Sequence, residues 1–432
     1  MKTALFPLLP LLALIALAPL ASAAAPARPN IILIMADDLS HANLSAYGAK
    51  NFQTPHLDRL AAQGMRFDHC YSLPLCTPSR IAIMTGQHNG RNHVEASYLD
   101  QNQHTFGAIA KEAGYATGLV GKWKLSGKGR SLPDRFGFDD YCVTEGTRND
   151  SPRYKNPEIL RNGKVTKYSN GEYGPDIVRD HALDFIARHR DRPFFLYYPM
   201  VLVHTPISPV PGTPAYATAD QRTDEPKNYP AMIQRMDENV GAIVAKLEAL
   251  GIRERTIVMF TGDNGTKRAF TMEMKDGRVV PGGKGSTSDR GVHVPLIVCQ
   301  PGTVPTGVND TLVDFTDFLP TVAEIAGVKL SSDVPCDGIS FLAPALGRKN
   351  SKSREWIYQW FANNPKVDKV VETVFDRDYR LYGDGRFFKW SVDLDEKQPL
   401  AVAKLTGADQ AAHAKLQSAL ATSRAGFQRP AK

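Results

Sequence analysis

Cysteine, repetitive sequence and charge imbalance are all scarce in this chain, and each shortage excludes a class of protein. Its 432 residues include five cysteines, too few for a disulfide-built scaffold, although one or two bridges are possible in an oxidising compartment. We find no internal repeat and no long low-complexity tract, so nothing indicates a fibrous or disordered protein. The composition, 42% hydrophobic and 22% charged, is that of a globular protein with one large domain and a smaller one.

An apolar run near the N-terminus is typical of a cleavable secretory signal. Lys2 precedes the run at residues 5–20, and Ala-Ser-Ala follows it at residues 21–23. No twin arginine precedes the run and no cysteine occupies the cleavage point, so neither a Tat signal nor a lipoprotein anchor is indicated. An uncleaved membrane anchor is the alternative, which the Ala-Ser-Ala site disfavours. We therefore expect removal of residues 1–23 and a periplasmic or secreted protein without stable membrane insertion.

The charge balance is only mildly basic. Removal of residues 1–23 takes away Lys2 alone and leaves 51 basic against 45 acidic residues, a net charge of about +6. A basic exported protein suits a polyanionic substrate, although an excess of this size is also common on solvated surfaces. We expect no nucleic-acid partner.

Residues 73–86 predict a cysteine at the mouth of a buried helix. Pro78 suits the first turn of a helix, where its missing N–H would be unpaired anyway, and the apolar residues 81–84 allow the helix to be buried. Cys76 would then face free backbone N–H groups and the positive end of the helix dipole, which together favour an anion. The alternatives for an isolated cysteine are an ordinary buried thiol or a disulfide with Cys70.

Helical and extended patterns alternate along the chain. Helix patterns occupy residues 54–64, 105–113, 176–188, 232–247 and 318–325, and strand patterns occupy residues 30–36, 116–120, 194–198, 256–261 and 294–299. This alternation predicts an α/β domain over residues 24–345, with a doubly wound, mixed but mostly parallel sheet flanked by helices. Short strands at 356–361, 379–382 and 386–390 and an Ala-rich helix at 400–425 predict a smaller C-terminal antiparallel sheet plus helix over residues 346–432.

Oxygen-bearing side chains follow two of the predicted strands. Asp37 and Asp38 come directly after residues 30–36, and Asp263 and Asn264 follow residues 256–261. Ligands of open α/β sheets bind at the carboxyl ends of the strands, so these four side chains are candidates for a metal site. All four are hard oxygen donors, which favours Ca²⁺ over Zn²⁺. Taken alone, the two adjacent aspartates could equally be helix caps or turn residues.

Six short motifs cover most of the chain after residue 23. They are residues 30–38, Cys76-Thr77-Pro78-Ser79-Arg80 with Thr85-Gly86, Gly121-Lys122-Trp123, His204-Thr205-Pro206, Gly262-Asp263-Asn264-Gly265 and Gly282-Gly283-Lys284-Gly285-Ser286-Thr287. In this order they resemble the type I, formylglycine-dependent sulfatases of the alkaline phosphatase superfamily, in an arylsulfatase-like form.

The resemblance implies two groups that the chain does not itself encode. In that family a maturation enzyme oxidises the cysteine of the motif to formylglycine, and the hydrated aldehyde is the nucleophile. Cys76 is implied to be converted in this way by a formylglycine-generating enzyme. Ca²⁺ is implied to be held by Asp37, Asp38, Asp263, Asn264 and an oxygen of the modified Cys76.

The resemblance also assigns roles to the cationic side chains. Arg80 is implied to steady the formylglycine, and Lys122, His204 and Lys284 to bind the sulfate and the leaving oxygen. Fixed cations suit this reaction because charge gathers on the leaving oxygen as the S–O bond breaks. His204 or Lys284 could protonate that oxygen.

Two positions depart from the family pattern. The family usually has histidine two residues after the lysine of Gly-Lys-Trp, commonly assigned to proton removal, and this chain has Lys124. Lys124 is therefore a candidate base, a further sulfate contact, or a side chain that points away. The family's Glu-Gly-Gly-x-Arg is here Asp289-Arg290-Gly291-Val292-His293. We interpret this change as subfamily divergence, with His293 as a candidate substrate-binding residue.

Together these features predict an exported sulfuric ester hydrolase that acts on a sulfated carbohydrate. One alternative is a phosphodiester or phosphonate monoester hydrolase of the same superfamily, and another is a sulfated-glycan binding protein without turnover. Specificity is expected in long loops near residues 142–173, 205–229 and 267–281 and in the small domain near residues 360–376. The sequence leaves open the sugar, exo or endo action and the oligomeric state.

Overall fold

The computed structural model describes residues 28–127, 129–144, 152–220, 222–348, 352–366 and 369–426, and the predicted signal segment lies outside them. The strands are β1 (Asn30–Ala36), β2 (Met65–Tyr71), β3 (Ala116–Lys122), β4 (Asp140–Thr144), β5 (Glu158–Arg161), β6 (Lys164–Lys167), β7 (Phe194–Pro199), β8 (Thr256–Gly262), β9 (Thr271–Glu273), β10 (Val279–Pro281), β11 (His293–Cys299), β12 (Gly307–Asn309), β13 (Val313–Asp314), β14 (Ile357–Phe361), β15 (Val371–Phe375), β16 (Arg380–Tyr382) and β17 (Phe387–Phe388). The helices are α1 (Pro55–Ala62), α2 (Cys76–Thr85), α3 (Asn89–Asn92), α4 (Phe106–Glu112), α5 (Gly174–Arg188), α6 (Pro214–Thr218), α7 (Tyr229–Ala249), α8 (Asp289–Val292), α9 (Phe318–Ile325), α10 (Leu342–Ala345) and α11 (Gly407–Ala425).

The large sheet is built around β1. Its strand order is β12-β2-β11-β8-β1-β7-β3-β4-β5-β6, with β13 also pairing with β2. β1 runs parallel to both β7 and β8, and β3 runs parallel to β7 and β4, whereas β11 is antiparallel to β8 and β2. The predicted mixed, mostly parallel sheet is therefore confirmed. All seven residues of β1 are buried, as expected of a parallel strand covered on both faces.

Helices cover both faces of this sheet, and alternate residues of β1 enter two separate apolar layers. Ile32 and Ile34 pack with side chains of α1, α5 and α7, whereas Ile31 and Leu33 pack with side chains of α2, α4 and α9. Successive side chains of a strand point to opposite faces, so one apolar run supplies both layers. Among the described residues, no helix is long and apolar enough to cross a membrane.

A second, smaller sheet is formed by β14, β15, β16 and β17, all paired antiparallel. It packs against α11 through a cluster of its own that includes Tyr358, Leu381 and Leu416. This confirms the predicted C-terminal sheet plus helix, in which residues 383–386 join β16 to β17. The division of the chain between residues 345 and 346 stays a prediction.

Two regions predicted as specificity loops contain strands. β5 and β6 form a hairpin at the edge of the large sheet, within residues 142–173, and β9 and β10 form another within residues 267–281. All four residues of β6 are exposed, so these short strands lack the apolar runs from which buried strands are predicted. The five cysteines are free, so neither the alternative disulfide of Cys76 with Cys70 nor any other bridge is formed.

Gly121 allows β3 and β7 to approach each other at the end of the sheet that carries Lys122. Its φ is +118°, and a Cβ at this position would lie 2.0 Å from the carbonyl oxygen of Pro199. Gly114 is a matched control, because its φ of +84° is also positive but nothing lies within 4 Å of the added atom.

We therefore expect Gly121→Ala to be much more destabilising than Gly114→Ala. The backbone strain common to both costs about 1–2 kcal/mol, and the clash adds about 1–3 kcal/mol at Gly121 alone. Denaturant unfolding of the two variants measures the difference. Equal losses of unfolding free energy would show that the approach to Pro199 is not constrained.

Candidate active site

Three carboxylates and an amide meet at the carboxyl ends of β1 and β8. The two strands are adjacent and parallel, with Ala36 beside Gly262, so the residues that follow them are neighbours. The backbone N–H of Asp38 donates to Oδ1 of Asp263 at 2.9 Å, and Nδ2 of Asn264 donates to Oδ1 of Asp38 at 2.8 Å. Asp37, Asp38, Asp263 and Asn264 are all at most 2% exposed. The structure thus brings together the four predicted metal ligands.

Cys76 is the first residue of α2 and lies beside this carboxylate cluster. Leu75 before it is extended, and every residue of α2 is buried. Arg80 is four residues further on and so lies on the same face of the helix. Its Nε and Nη2 donate to Oδ2 of Asp263 at 3.1 and 2.8 Å, and Nη2 lies 3.7 Å from Oδ1 of Asp37. The helix therefore positions both the cysteine and a buried cation against the cluster.

Three further cationic or titratable side chains reach the same carboxylates from separate segments. Lys122 ends β3 and is fully buried, with Nζ 2.5 Å from Oδ2 of Asp37. Nζ of Lys284 lies 2.6 Å from the carboxylate of Asp38, and Nε2 of His204 lies 3.8 Å from Oδ2 of Asp38. The result is a concentration of opposite charges out of contact with water, apart from the partly exposed Lys284 and His204.

Several polar atoms in this cluster have no hydrogen-bond partner among the described residues. They include Oδ1 of Asp37, Oδ1 of Asn264 and Nη1 of Arg80. Unsatisfied buried polar atoms are costly, so such atoms at one point indicate a missing ligand. Ligand atoms of Asp37, Cys76 and Asp263 lie within 4.8 Å of one another, as do those of Asp37, Asp38 and His204. This donor set, rich in carboxylate and amide oxygens, fits a hard cation.

The mixed charges shift the pKa values of these groups in both directions. Burial alone would raise the pKa of Asp37, but Lys122, His204 and Arg80 outweigh it and hold that pKa well below its ordinary value. Burial and the charge of Asp37 together raise the pKa of Asp263 to about 7. Burial lowers the pKa of His204 to about 3, and the carboxylates oppose that shift. Closely spaced groups with divergent pKa values are typical of functional sites.

Two predicted site residues lie outside these contacts. Lys124 follows β3 and is half-buried, and within the described ranges it has no hydrogen-bond or ion-pair partner. His293 begins β11, where its ring nitrogens face Asp289 and the carbonyl oxygen of Asp68 rather than the carboxylate cluster. With both nitrogens engaged in this way, His293 has no ring nitrogen left for a substrate. The functional roles predicted for both residues stay predictions.

Sequence reasoning missed two residues that contact His204. Nη1 of Arg153 lies 3.4 Å from Nδ1 of His204, and the hydroxyl of Tyr154 donates to the carbonyl oxygens of Val201 and His204. No motif surrounds Arg153 or Tyr154. Their contacts become visible only when their segment packs against the residues after β7. Arg153 thereby adds a cation at the partly exposed side of the site.

The chain is similar to known proteins of one family. Residues 29–328 match the Sulfatase family model. The chain is 32% identical over 354 residues to N-acetylgalactosamine-6-sulfatase of Canis lupus familiaris, covering 74% of this chain and 66% of that protein. It is 31% identical over 361 residues to an arylsulfatase of Hemicentrotus pulcherrimus, covering 77% and 64%. The chain thus spans about two thirds of the length of these relatives.

Solved structures agree with the sequence matches. A sulfatase structure from work on glycosaminoglycan metabolism by Bacteroides thetaiotaomicron has a TM-score of 0.73 at 25% identity, covering 92% of this chain and 99% of that one. BT4656, solved with its substrate D-glucosamine-2-N,6-O-disulfate, shares the fold, with a TM-score of 0.74 at 22% identity and coverage of 92% and 98%. The family match over most of the described chain, joined to the clustered residues, confirms the resemblance: the chain belongs to the sulfatase family.

Proposed function

We propose that this protein hydrolyses sulfate esters of a carbohydrate after export from the cell. The observation that carries the proposal is the position of Cys76, at the N-terminus of α2 and beside a buried cluster in which Arg80, Lys122, Lys284 and His204 face three carboxylates. An anionic ester can be bound by such cations at its sulfate group. Family membership supports the same reaction class.

Two groups absent from the chain complete the proposed site. Asp37, Asp38, Asp263 and Asn264 fit Ca²⁺, because they are hard oxygen donors and two of their oxygens are unsatisfied. When bound, Ca²⁺ supplies a fixed positive charge that polarises an oxygen beside it. Formylglycine made from Cys76 by a maturation enzyme supplies an aldehyde carbon whose hydrate oxygen is nucleophilic.

The chain's own residues then have separable roles. Arg80, fixed by Asp263, orients the side chain at position 76, one helical turn away. Lys122 and Lys284 bind sulfate oxygens, and their charge stabilises the transition state more than the ground state because negative charge grows as the S–O bond breaks. Lys284, against Asp38, can carry the proton that the leaving alcohol requires. His204, whose pKa is lowered to about 3, is neutral and can hydrogen-bond to the leaving oxygen.

A carbohydrate substrate is supported by four features. The predicted signal segment would place the enzyme among extracellular or periplasmic polysaccharides, and the protein without that segment carries a net charge of about +6. The relative from Canis lupus familiaris is named for an amino-sugar sulfate. Arg153 adds a cation next to His204, which suits a substrate with more than one anionic group.

The test is sulfate release from a panel of defined sulfated sugars by protein co-produced with a formylglycine-generating enzyme. We expect release from at least one sugar, and little turnover of a phosphonate monoester or a phosphodiester. Faster hydrolysis of the phosphorus esters would favour the superfamily alternative. Tight binding of a sulfated sugar without turnover, with the aldehyde confirmed by mass spectrometry, would favour a glycan-binding protein.

Lys124→Ala tests the first departure from the family pattern. If Lys124 acts as the base that replaces the usual histidine, we expect kcat/KM to fall by about 100-fold or more. The melting temperature should not change, since Lys124 has no ion-pair partner in the described parts of the chain. Lys329→Ala, at an exposed lysine far along the chain, is the control. An unchanged kcat/KM would mean that Lys124 points away from the substrate.

A further inference from the structure

The second departure from the family pattern forms a buried ion pair. Nδ1 of His293 lies 3.0 Å from Oδ1 of Asp289, four residues earlier, and both side chains are only 12–13% exposed. Nε2 of His293 lies 2.8 Å from the carbonyl oxygen of Asp68, which can only accept. Both ring nitrogens therefore face acceptors. Nε2 is hydrogen-bonded to Asp68, whereas Nδ1 lies within ion-pair distance of Oδ1 of Asp289, an oxygen without a hydrogen-bond partner among the described residues. The protonated ring therefore gives a hydrogen bond to Asp68 and a charge attraction to Asp289.

The surroundings of this pair contain other titratable rings. The ring of His41 lies 3.8 Å from that of His293, with Tyr71 at 4.8 Å and His69 at 6.3 Å between ring centres. Charged side chains that also act on these rings are Asp68, Asp289, Arg278, Arg377 and Arg380. Burial, helped by the charge of His293, lowers the pKa of His41 to about 3. His41 is thus neutral, and the positive charge in the stack belongs to His293.

Helix α8, which the pair closes, packs between the two loops that carry site residues. The carbonyl oxygen of Gly291 accepts from the backbone N–H of Gly265, the residue after Asn264, at 2.8 Å. A Cβ on Gly283 would lie 2.4 Å from Cβ of Arg290. A shift of α8 towards either loop would therefore displace that loop.

The backbone of the Lys284 loop is fixed on the same side of the molecule. The N–H of Lys284 donates to the carbonyl oxygen of Thr266, and the N–H of Gly285 donates to that of Pro74, both at 2.9 Å. Pro74 lies two residues before Cys76. These two bonds hold the Lys284 loop on one side, and α8, which packs against Gly283, bounds it on the other.

We propose that Asp289 and His293 are positioning residues, whose ion pair holds α8 in place and through it Lys284, and that the pair works only while His293 is protonated. This proposal rests on the proposed function, since Lys284 is there a sulfate-binding residue. In the family pattern arginine takes the place of His293, and arginine keeps its charge throughout the accessible pH range. The exchange to histidine makes the support of the site dependent on pH.

The direction of the pH effect follows from the surroundings. Burial alone would lower the pKa of His293, but Asp289 and the carbonyl oxygen of Asp68 outweigh it and raise that pKa above its ordinary value. The stability that the pair contributes is therefore complete below the unfolded-state pKa, about 6.5, and is lost as the pH rises through the raised folded-state pKa. The position of Lys284 should be lost over the same pH range as this stability.

The experiment compares wild type with His293→Arg and His293→Gln between about pH 6 and about pH 9. His104→Arg is the matched control, because His104 pairs with Glu112 at 3.7 Å on a half-exposed surface. The melting temperature measures how much the Asp289–His293 ion pair stabilises the protein. The dissociation constant for inorganic sulfate, measured by calorimetry, reports Lys284 without requiring turnover, and kcat/KM is measured beside it.

We expect wild type to lose melting temperature and about tenfold in sulfate affinity towards alkaline pH relative to His293→Arg. His293→Gln should show the weakened affinity already at about pH 6. If His293→Arg does not fold, Asp289→Asn is used in its place. The pH dependence of sulfate affinity in Asp289→Asn should match that in His293→Gln. The proposal would be overturned if sulfate affinity changed with pH in the same way in wild type and in His293→Gln. It would also be overturned if His293→Gln were less stable but bound sulfate as tightly as wild type. Absence of turnover with the expected affinity changes would count against the sulfatase activity alone.

Discussion

Cys76→Ala is expected to abolish sulfate release, lowering kcat/KM by about 10,000-fold or more, since the reaction loses its nucleophile while the cations remain. Alanine keeps the helix, because position 76 is the first residue of α2 and its side chain makes no hydrogen bond within the described structure. The melting temperature should therefore stay near that of wild type. Sulfate release from a cleaved sugar, followed by ion chromatography, gives the rate.

A second cysteine serves as the control for this variant. Cys336 is half-buried and free, and it lies outside α2, so Cys336→Ala should retain full activity. Mass spectrometry of the peptide containing Cys76 should show the aldehyde in wild type and in Cys336→Ala. Substantial turnover by Cys76→Ala would remove Cys76 from the mechanism, and turnover by wild type with an intact thiol would remove formylglycine.

Asp37→Asn is expected to lower the free energy of unfolding by about 3–5 kcal/mol and to eliminate stabilisation by Ca²⁺. Lys122 is fully buried against this carboxylate, and Arg80 lies 3.7 Å from its other oxygen. Removal of one partner leaves buried positive charge uncompensated, which is the costly way to break a buried ion pair. Guanidinium unfolding with added Ca²⁺ and with chelator measures both effects.

The double variant Asp37→Asn, Lys122→Met separates the two effects. It removes the unpaired charge, so stability should recover substantially. Ca²⁺ should still not stabilise it, because a ligand oxygen is missing. Asp310→Asn, at an exposed carboxylate paired with Arg377 at 3.0 Å, controls for loss of charge alone and should change stability by less than about 1 kcal/mol. Persistence of the full Ca²⁺ effect in Asp37→Asn would exclude Asp37 as a ligand.

Much of the fold and the site is readable in short segments. Residues 30–36 predict β1 because a short, continuous apolar run rich in β-branched residues is typical of a strand buried on both faces, and the Asp37-Asp38 pair follows at the strand end where ligands bind. Residues 76–85 predict α2 with Cys76 at its start, since a proline in the first turn and an apolar body define that helix end. The sequence does not predict the remaining strands, because they are short, exposed or interrupted by polar residues: β2, β4, β5, β6, β9, β10, β12, β13 and β15.

By itself, the sequence indicated the long buried strands and helices of the sheet and the residues that the motifs bring to its strand ends, because apolar periodicity and motif spacing are local properties. Only the tertiary structure decided the pairings: Lys284 with Asp38, 246 residues apart, Lys122 with Asp37, 85 residues apart, and Arg153 with His204. These contacts depend on strand order and on the loops that the strand ends bring together. Tertiary packing likewise places both ring nitrogens of His293 against Asp289 and the carbonyl oxygen of Asp68.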